Sequence, residues 1–359
     1  MDRLWPEVQA GGGEAMRLRG AALLAFCLGS LVPPVHAACE GVCAAWLEQA
    51  EGDGQSALAE RIRLYRKVLK EDPRNYRARR GLAEITIQGA LAIERAQALE
   101  REGEVRAWSR RIAAKLGDTA WRVGFMARKG DARAETAMGV LHRMGLLVER
   151  DPVKACRHYR RASALGEPSG LYRYALCMAK EDREEAIRLV EKAAAAGHAA
   201  AQHLLGETYL HGPQRDPEKA SAWIRRAARA GRPSAKSLLA WLYDTGTGVP
   251  EDKGRAFRLY LEAAREGNLS ACNNLGEMYE TGSAGIRDLS KAARWYRRGA
   301  EGGLAQAQFN LGRLYADGKG VTRNDALARR WFEQAAQQGL EPAREALKWL
   351  SSQDEQSHR

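Results

Sequence analysis

The chain has 359 residues, 45% of them hydrophobic and 28% charged, enough apolar material for a long, thin core. Its 11 prolines and 36 glycines gather at the ends of helical segments, and no alternating apolar run suggests a strand, so a sheet-based fold is excluded. A formal net charge of +12 raises a nucleic-acid partner, but the excess is diffuse, and the export signal that follows argues against one. Residues 1–15 show no periodicity and read as an extension of the gene upstream, with Met16 rather than Met1 as the start. Met16 opens a secretory signal over 16–37: Arg17 and Arg19 form its basic region, Gly20–Val32 its apolar stretch, and Val35-His36-Ala37 its cleavage site. That stretch falls short of the roughly 20 apolar residues a spanning helix needs. Cleavage near Ala37 would deliver the chain to the periplasm or the exterior. The linker 38–56 carries Cys39 and Cys43, which read as a disulfide or a free thiol in an oxidising compartment. His36 stands where a lipoprotein signal wants an aliphatic residue, which argues against a lipid on Cys39.

Residues 57–130 read as helical. In Arg61–Ile85, Tyr65 and Val68 precede Asp72-Pro73, and Ala78, Leu82 and Ala83 follow on one face. This stretch resembles a tetratricopeptide unit. A charged helical stretch then runs from Ile87 to Leu116, expected to break at Gly103. A last helix leads to Gly130.

Over 131–339 one pattern returns six times. Glycine closes the copies at Gly166, Gly197, Gly231, Gly267, Gly303 and Gly339, and an apolar–small pair follows in register: Tyr174-Ala175, Leu205-Gly206, Leu239-Ala240, Leu275-Gly276 and Leu311-Gly312. Ala201, Leu205 and Tyr209 share one face of a first helix. Ala220, Trp223, Ala227 and Ala228 mark a second, whose aromatic column is expected to be buried. The small residue beside the leucine needs a packing reason, because glycine inside a helix costs about 1 kcal/mol relative to alanine. Length varies only between the two helices, where a loop outside the packed layers belongs. Residues 340–350 supply a capping helix, which a solenoid end requires, and 351–359 read as a disordered tail.

These columns resemble Sel1-like repeats, most clearly in the last four copies; His142 and His158 replace the aromatic columns in the first. The resemblance implies an all-α, right-handed α/α superhelical solenoid of Sel1-like repeats with an N-terminal tetratricopeptide-like extension. It also implies a non-catalytic adaptor for macromolecular assemblies, exported in several bacterial members, and a place in an envelope or exopolysaccharide-export assembly. Some cysteine-rich members are β-lactam-binding or hydrolysing, with a regular cysteine pair in each repeat. Here cysteines are sporadic, so that reading stays an alternative, beside a polyanion-binding structural protein.

No catalytic motif is present, and no cofactor is called for. His198, His203 and His211 read as surface or turn residues rather than a metal site. The glycines of Thr245–Asp252 serve a turn and not a phosphate. Arginine pairs such as Arg225-Arg226 and Arg297-Arg298 read as a solvated outer face. Cys156 and Cys177 fall on neighbouring helices, either as a disulfide or as two buried thiols, and Cys272 reads as core. What remains is a surface. The columns flanking the repeat leucine vary from copy to copy, which points to Trp241, Asn274, Glu277, Asn310 and Arg313 as a groove for a protein partner or an anionic envelope component. The alternative is that Trp241 packs between repeats and the two asparagines satisfy backbone groups.

Overall fold

The computed structural model describes residues 58–357 except 117, 118, 284 and 286, and among them it shows seventeen helices and no strand. The extension 1–15, the signal segment 16–37, Cys39 and Cys43 lie outside the described residues. None of the described helices is long and apolar enough to cross a membrane.

The chain divides into two compact units, Met1–Ala78 and Arg79–Arg359. In the first, α1 (Leu58–Glu71) ends at a turn where Asp72 accepts from the Arg74 N–H at 3.0 Å, and the Asn75 carbonyl caps the Ala78 N–H at 3.0 Å. That cap starts α2 (Tyr76–Ala98), which continues into the second unit. The expected break at Gly103 is displaced: α2 ends before Leu99–Arg101, where Glu100 takes φ +60°, and Gly103 lies inside α3 (Glu102–Lys115). A tight reversal there, not glycine, ends the helix. α4 (Ala120–Arg128) leads into the repeats.

Six helix pairs follow, and in each the sequence writes its own boundaries. The first helices are α5 (Ala132–Met144), α7 (Pro168–Met178), α9 (Ala199–His211), α11 (Pro233–Thr245), α13 (Leu269–Thr281) and α15 (Ala305–Asp317). The second helices are α6 (Pro152–Ala164), α8 (Arg183–Ala195), α10 (Pro217–Arg229), α12 (Lys253–Arg265), α14 (Leu289–Glu301) and α16 (Asp325–Gln337). Every second helix opens on an acceptor side chain, Asp151, Asp182, Asp216, Asp252, Asp288 or Asn324, which takes the N–H three residues on. Such caps are worth about 1 kcal/mol each. Every pair closes on a glycine in the left-handed region, from Gly166 at φ +76° to Gly267 at φ +96°, where a side chain would be strained. The joining loops span seven residues in four repeats (246–252 is one), but 212–216 in the third and 179–182 in the second. The helices keep register while the loop absorbs the difference.

The buried aromatic column lies one residue beyond the one expected. Trp223, Leu259 and Trp295 are only partly buried, whereas Tyr159, Ile224, Tyr260, Tyr296 and Phe332 are at most 2% exposed. These side chains supply the packing reason for the small column. A Cβ on Gly206 would sit 2.4 Å from Ile224 Cγ1, and one on Gly276 or Gly312 would come within 2.7 Å of the Tyr296 or Phe332 ring. The tryptophans instead lie at the surface under arginines, with the Arg226 guanidinium 4.4 Å from the Trp223 ring centre.

Cys156 on α6 and Cys177 on α7 are joined, with Cα atoms 6.0 Å apart, and Cys272 is a buried free thiol. The last helix, α17 (Glu341–Ser357), buries Leu350 against Phe332 and Ala316. It runs on through most of the tail expected to be disordered.

Candidate partner-binding face

The first helices of the repeats present one continuous set of columns, and part of that set is already occupied by the chain's own N-terminal segment. Glu94, on α2, is 1% exposed. Its Oε1 accepts from Arg173 Nε at 2.6 Å, and its Oε2 lies 3.5 Å from an Arg143 terminal nitrogen. One turn on, the Gln97 carbonyl accepts from Arg173 at 2.9 Å and from Arg143 as well. Arg143 Nε also donates to the Tyr159 hydroxyl at 3.1 Å. A buried carboxylate is tolerable only when its attraction to partners offsets lost hydration, and here two guanidinium groups do so. Arg173 stands in the column just before the repeat leucine, so α2 docks on the positions expected to line a groove.

The contact extends to repeat 4. Glu100 Oε2 accepts from the Ser234 N–H at 2.9 Å, and its Oε1 lies 2.7 Å from Arg232, whose other terminal nitrogen donates to the Ala98 carbonyl at 2.6 Å. Arg232 is the cap residue of α11 and offers it no side-chain acceptor. Glu100 therefore caps that helix from a distant part of the chain. Glu94, Gln97, Arg143, Glu100 and Arg232 were not singled out from the sequence. The one available signal was Glu94, a carboxylate on the apolar stretch Gly89–Ala98.

His198 caps α9, its Nδ1 accepting from the Ala201 N–H at 3.3 Å. It is 8% exposed, stacks on Tyr172 at 4.6 Å, and lies 4.0 Å from Glu94. Burial, only partly offset by Glu94 and reinforced by Arg173 and Arg232, lowers its pKa from 6.5 to about 4. His203 is equally buried and pairs with Glu207 at 3.4 Å. The two histidines are thus interior groups, not surface ones, because the first helices pack against neighbours on more than one side. Among the described residues no cluster suited to a metal ion is found. A depressed folded pKa means that the unfolded chain takes up a proton below pH 6.5 which the folded chain refuses until about pH 4. Stability should therefore be full above about pH 6.5 and fall by up to about 3 kcal/mol as pH drops to 4. His198→Asn keeps a cap acceptor, as Asn268 does for α13. Urea melts at several pH values should show a shallower acid slope for this variant than for the parent.

The groove candidates fall on α11, α13 and α15. Trp241 is half-buried and packs against the edge of the central core; Asn274 is half-buried and Glu277 exposed. Asn310 is 8% exposed and donates to Asn273 Oδ1 at 2.9 Å, so it serves the contact between first helices. Arg313 reaches both oxygens of Glu280, at 2.7 and 2.8 Å, and Glu280 also accepts from the Tyr296 hydroxyl at 2.9 Å. The structure brings Trp241, Asn274, Glu277 and Arg313 onto neighbouring first helices, with Arg313 held in place by the aromatic core.

Paired helices stacked in register, with one helix layer offering varied side chains, define a helical-repeat solenoid of the binding type. The Sel1 repeat pattern matches residues 132–167, 169–198, 199–231, 233–268, 269–304 and 305–340, over half of the chain, and the protein belongs to the Sel1-repeat family. The chain is similar to a protective antigen of uropathogenic Escherichia coli with an SLR fold, at 23% identity and a TM-score of 0.62, covering 88% of this chain and 67% of that one. It is also similar to a Sel1 repeat protein from Oxalobacter formigenes, at 25% identity and a TM-score of 0.53, covering 69% and 96%. No curated protein is recognisably similar in sequence. Sel1-repeat proteins generally mediate protein–protein interactions.

Proposed function

We propose that this protein is an exported, non-catalytic scaffold that grips a protein partner with the first helices of repeats 4–6. One observation carries the reading: α2 and the turn after it already engage Arg173 in repeat 2 and Arg232 in repeat 4, while Glu277 is exposed and Trp241, Asn274 and Arg313 stay partly open. A helix seated on those columns is itself an example of what they accept. A half-buried tryptophan flanked by charged and amide groups is the usual make-up of an interface anchor. Export to the periplasm or beyond rests on residues 16–37, and the Cys156–Cys177 bond suits an oxidising compartment. Work within an envelope or exopolysaccharide-export assembly is the role that the family resemblance implies for such a placement.

The test is site-specific photo-crosslinking at position 277 in cells, with bait carrying Trp241 or Trp241→Ala. The parent should capture a discrete envelope protein, and the variant should lose it with little change in melting temperature. A variant that melts lower yet captures the same partner would make Trp241 a packing residue and remove the proposed anchor.

A further inference from the structure

Away from those columns, the junction between repeats 3 and 4 holds a cleft of about 410 Å³ lined by α10, α11 and α12. Four arginines face it: Arg225 and Arg229 from α10, Arg255 and Arg258 from α12. Arg255 donates to the Tyr243 hydroxyl at 3.0 Å, with its guanidinium 4.8 Å from that ring's centre. Arg225 Nε is buried and makes no hydrogen bond. The one carboxylate on the wall, Glu262, lies 3.5 Å from Lys236, which also holds Glu266 at 2.6 Å. Among the described residues, none of the four arginines is ion-paired.

The register of the repeats shows that this concentration is particular to one junction. The corresponding residues between repeats 2 and 3 are Glu191, Ala195, Lys219 and Ala222. Between repeats 4 and 5 they are Leu261, Arg265, Lys291 and Arg294, and Lys291 is tied to Asp288 at 3.2 Å. Between repeats 5 and 6 they are Arg297, Glu301, Leu327 and Arg330. A solvated outer face would spread its cations along the array. Four uncompensated guanidinium groups around one cleft repel one another unless an anion joins them, and a buried, unpartnered N–H donor leaves a hydrogen bond unmade.

We propose that this cleft binds a small phosphorylated molecule, its dianionic group held by the four arginines. Guanidinium groups suit such oxyanions because their paired N–H donors match two oxygens at once. Leu239 and Leu259 supply an apolar wall beside the charge, which fits the carbon body of a phosphate ester better than a free ion. The site is separate from the proposed partner face, because Tyr243 and Trp241 are two residues apart on α11 and point to opposite sides.

Calorimetry on the purified full chain, with inorganic pyrophosphate and glucose 6-phosphate as probes, tests this. Both should bind saturably, the ester more tightly if its carbon body uses the apolar wall, and affinity should fall as salt rises through physiological strength. Arg225→Leu places the side chain found naturally at Leu261 in the next repeat, so the fold is kept, and binding should weaken about tenfold or more. Arg258→Gln should do the same, whereas Arg297→Gln at another junction should leave binding unchanged. No heat with either probe would overturn the proposal, as would binding that Arg225→Leu and Arg297→Gln weaken equally. Tighter binding of pyrophosphate than of the ester would keep the anion site and remove the organic ligand.

Discussion

Replacing Glu94 by alanine should cost about 3–5 kcal/mol. The side chain is 1% exposed, and its removal strands two guanidinium groups, those of Arg173 and Arg143, whose side chains are 15% and 28% exposed. The loss exceeds the net worth of the contacts, because most of it is the cost of leaving buried charge without a counterpart. Glu94→Gln should fall between, keeping an acceptor but not the charge. The companion change Arg173→Ala should also destabilise, yet the double variant should cost clearly less than the two singles added, since each removes the other's reason for being there. Chemical denaturation of the four proteins gives the cycle. Additive losses would mean that Glu94 and Arg173 are not coupled and that α2 is held by other contacts. Glu94→Ala should also lower the His198 pKa further, because Glu94 is the group that favours its protonated form.

The repeated part of the fold was legible in the sequence for a physical reason. Each pair must end where glycine turns left-handed, as at Gly231 and Gly267, and each second helix opens where an acceptor caps it, as at Asp252 and Asp288. The buried aromatic column was misplaced by one residue because tryptophan is the more obvious core side chain. In the structure Trp295 lies at the surface under Arg298, 5.7 Å from its ring, while Tyr296 goes inside because its ring fits over Gly276. The candidate face was half legible: Arg313 and Glu277 emerged from the variation of their columns, but nothing local announced that Arg173 is already taken. Its partner Glu94 is 79 residues away, a distance at which no periodicity operates. The glycines that close the repeats are legible because each is set by its neighbours in sequence. The break after α2 is not, because the left-handed residue of its reversal is Glu100 rather than a glycine, and its side chain is held by Ser234, 134 residues on.

Gly276→Ala should destabilise repeat 5 although alanine is the better helix former by about 1 kcal/mol. The new methyl would stand 2.7 Å from two carbons of the Tyr296 ring, and overpacking of this kind costs about 1–3 kcal/mol. Relief by a shift of the ring is restricted, because the ring is 1% exposed and its hydroxyl is tied to Glu280 at 2.9 Å. Repeat 2 shows the alternative solution, with Ala175 in the small column and Val190 in the aromatic one. Gly276→Ala combined with Tyr296→Val should therefore recover part of the loss that Gly276→Ala suffers alone. The double variant carries a second consequence. Without the Tyr296 hydroxyl, the Glu280 carboxylate keeps only Arg313 among the described residues, and the pair gains freedom at the edge of the proposed partner face. Thermal melts should show the stability rescue, and crosslinking at position 277 should show weaker capture despite it. Rescue of both together would mean that Arg313 needs no fixing to do its work, and would leave Tyr296 a purely structural residue.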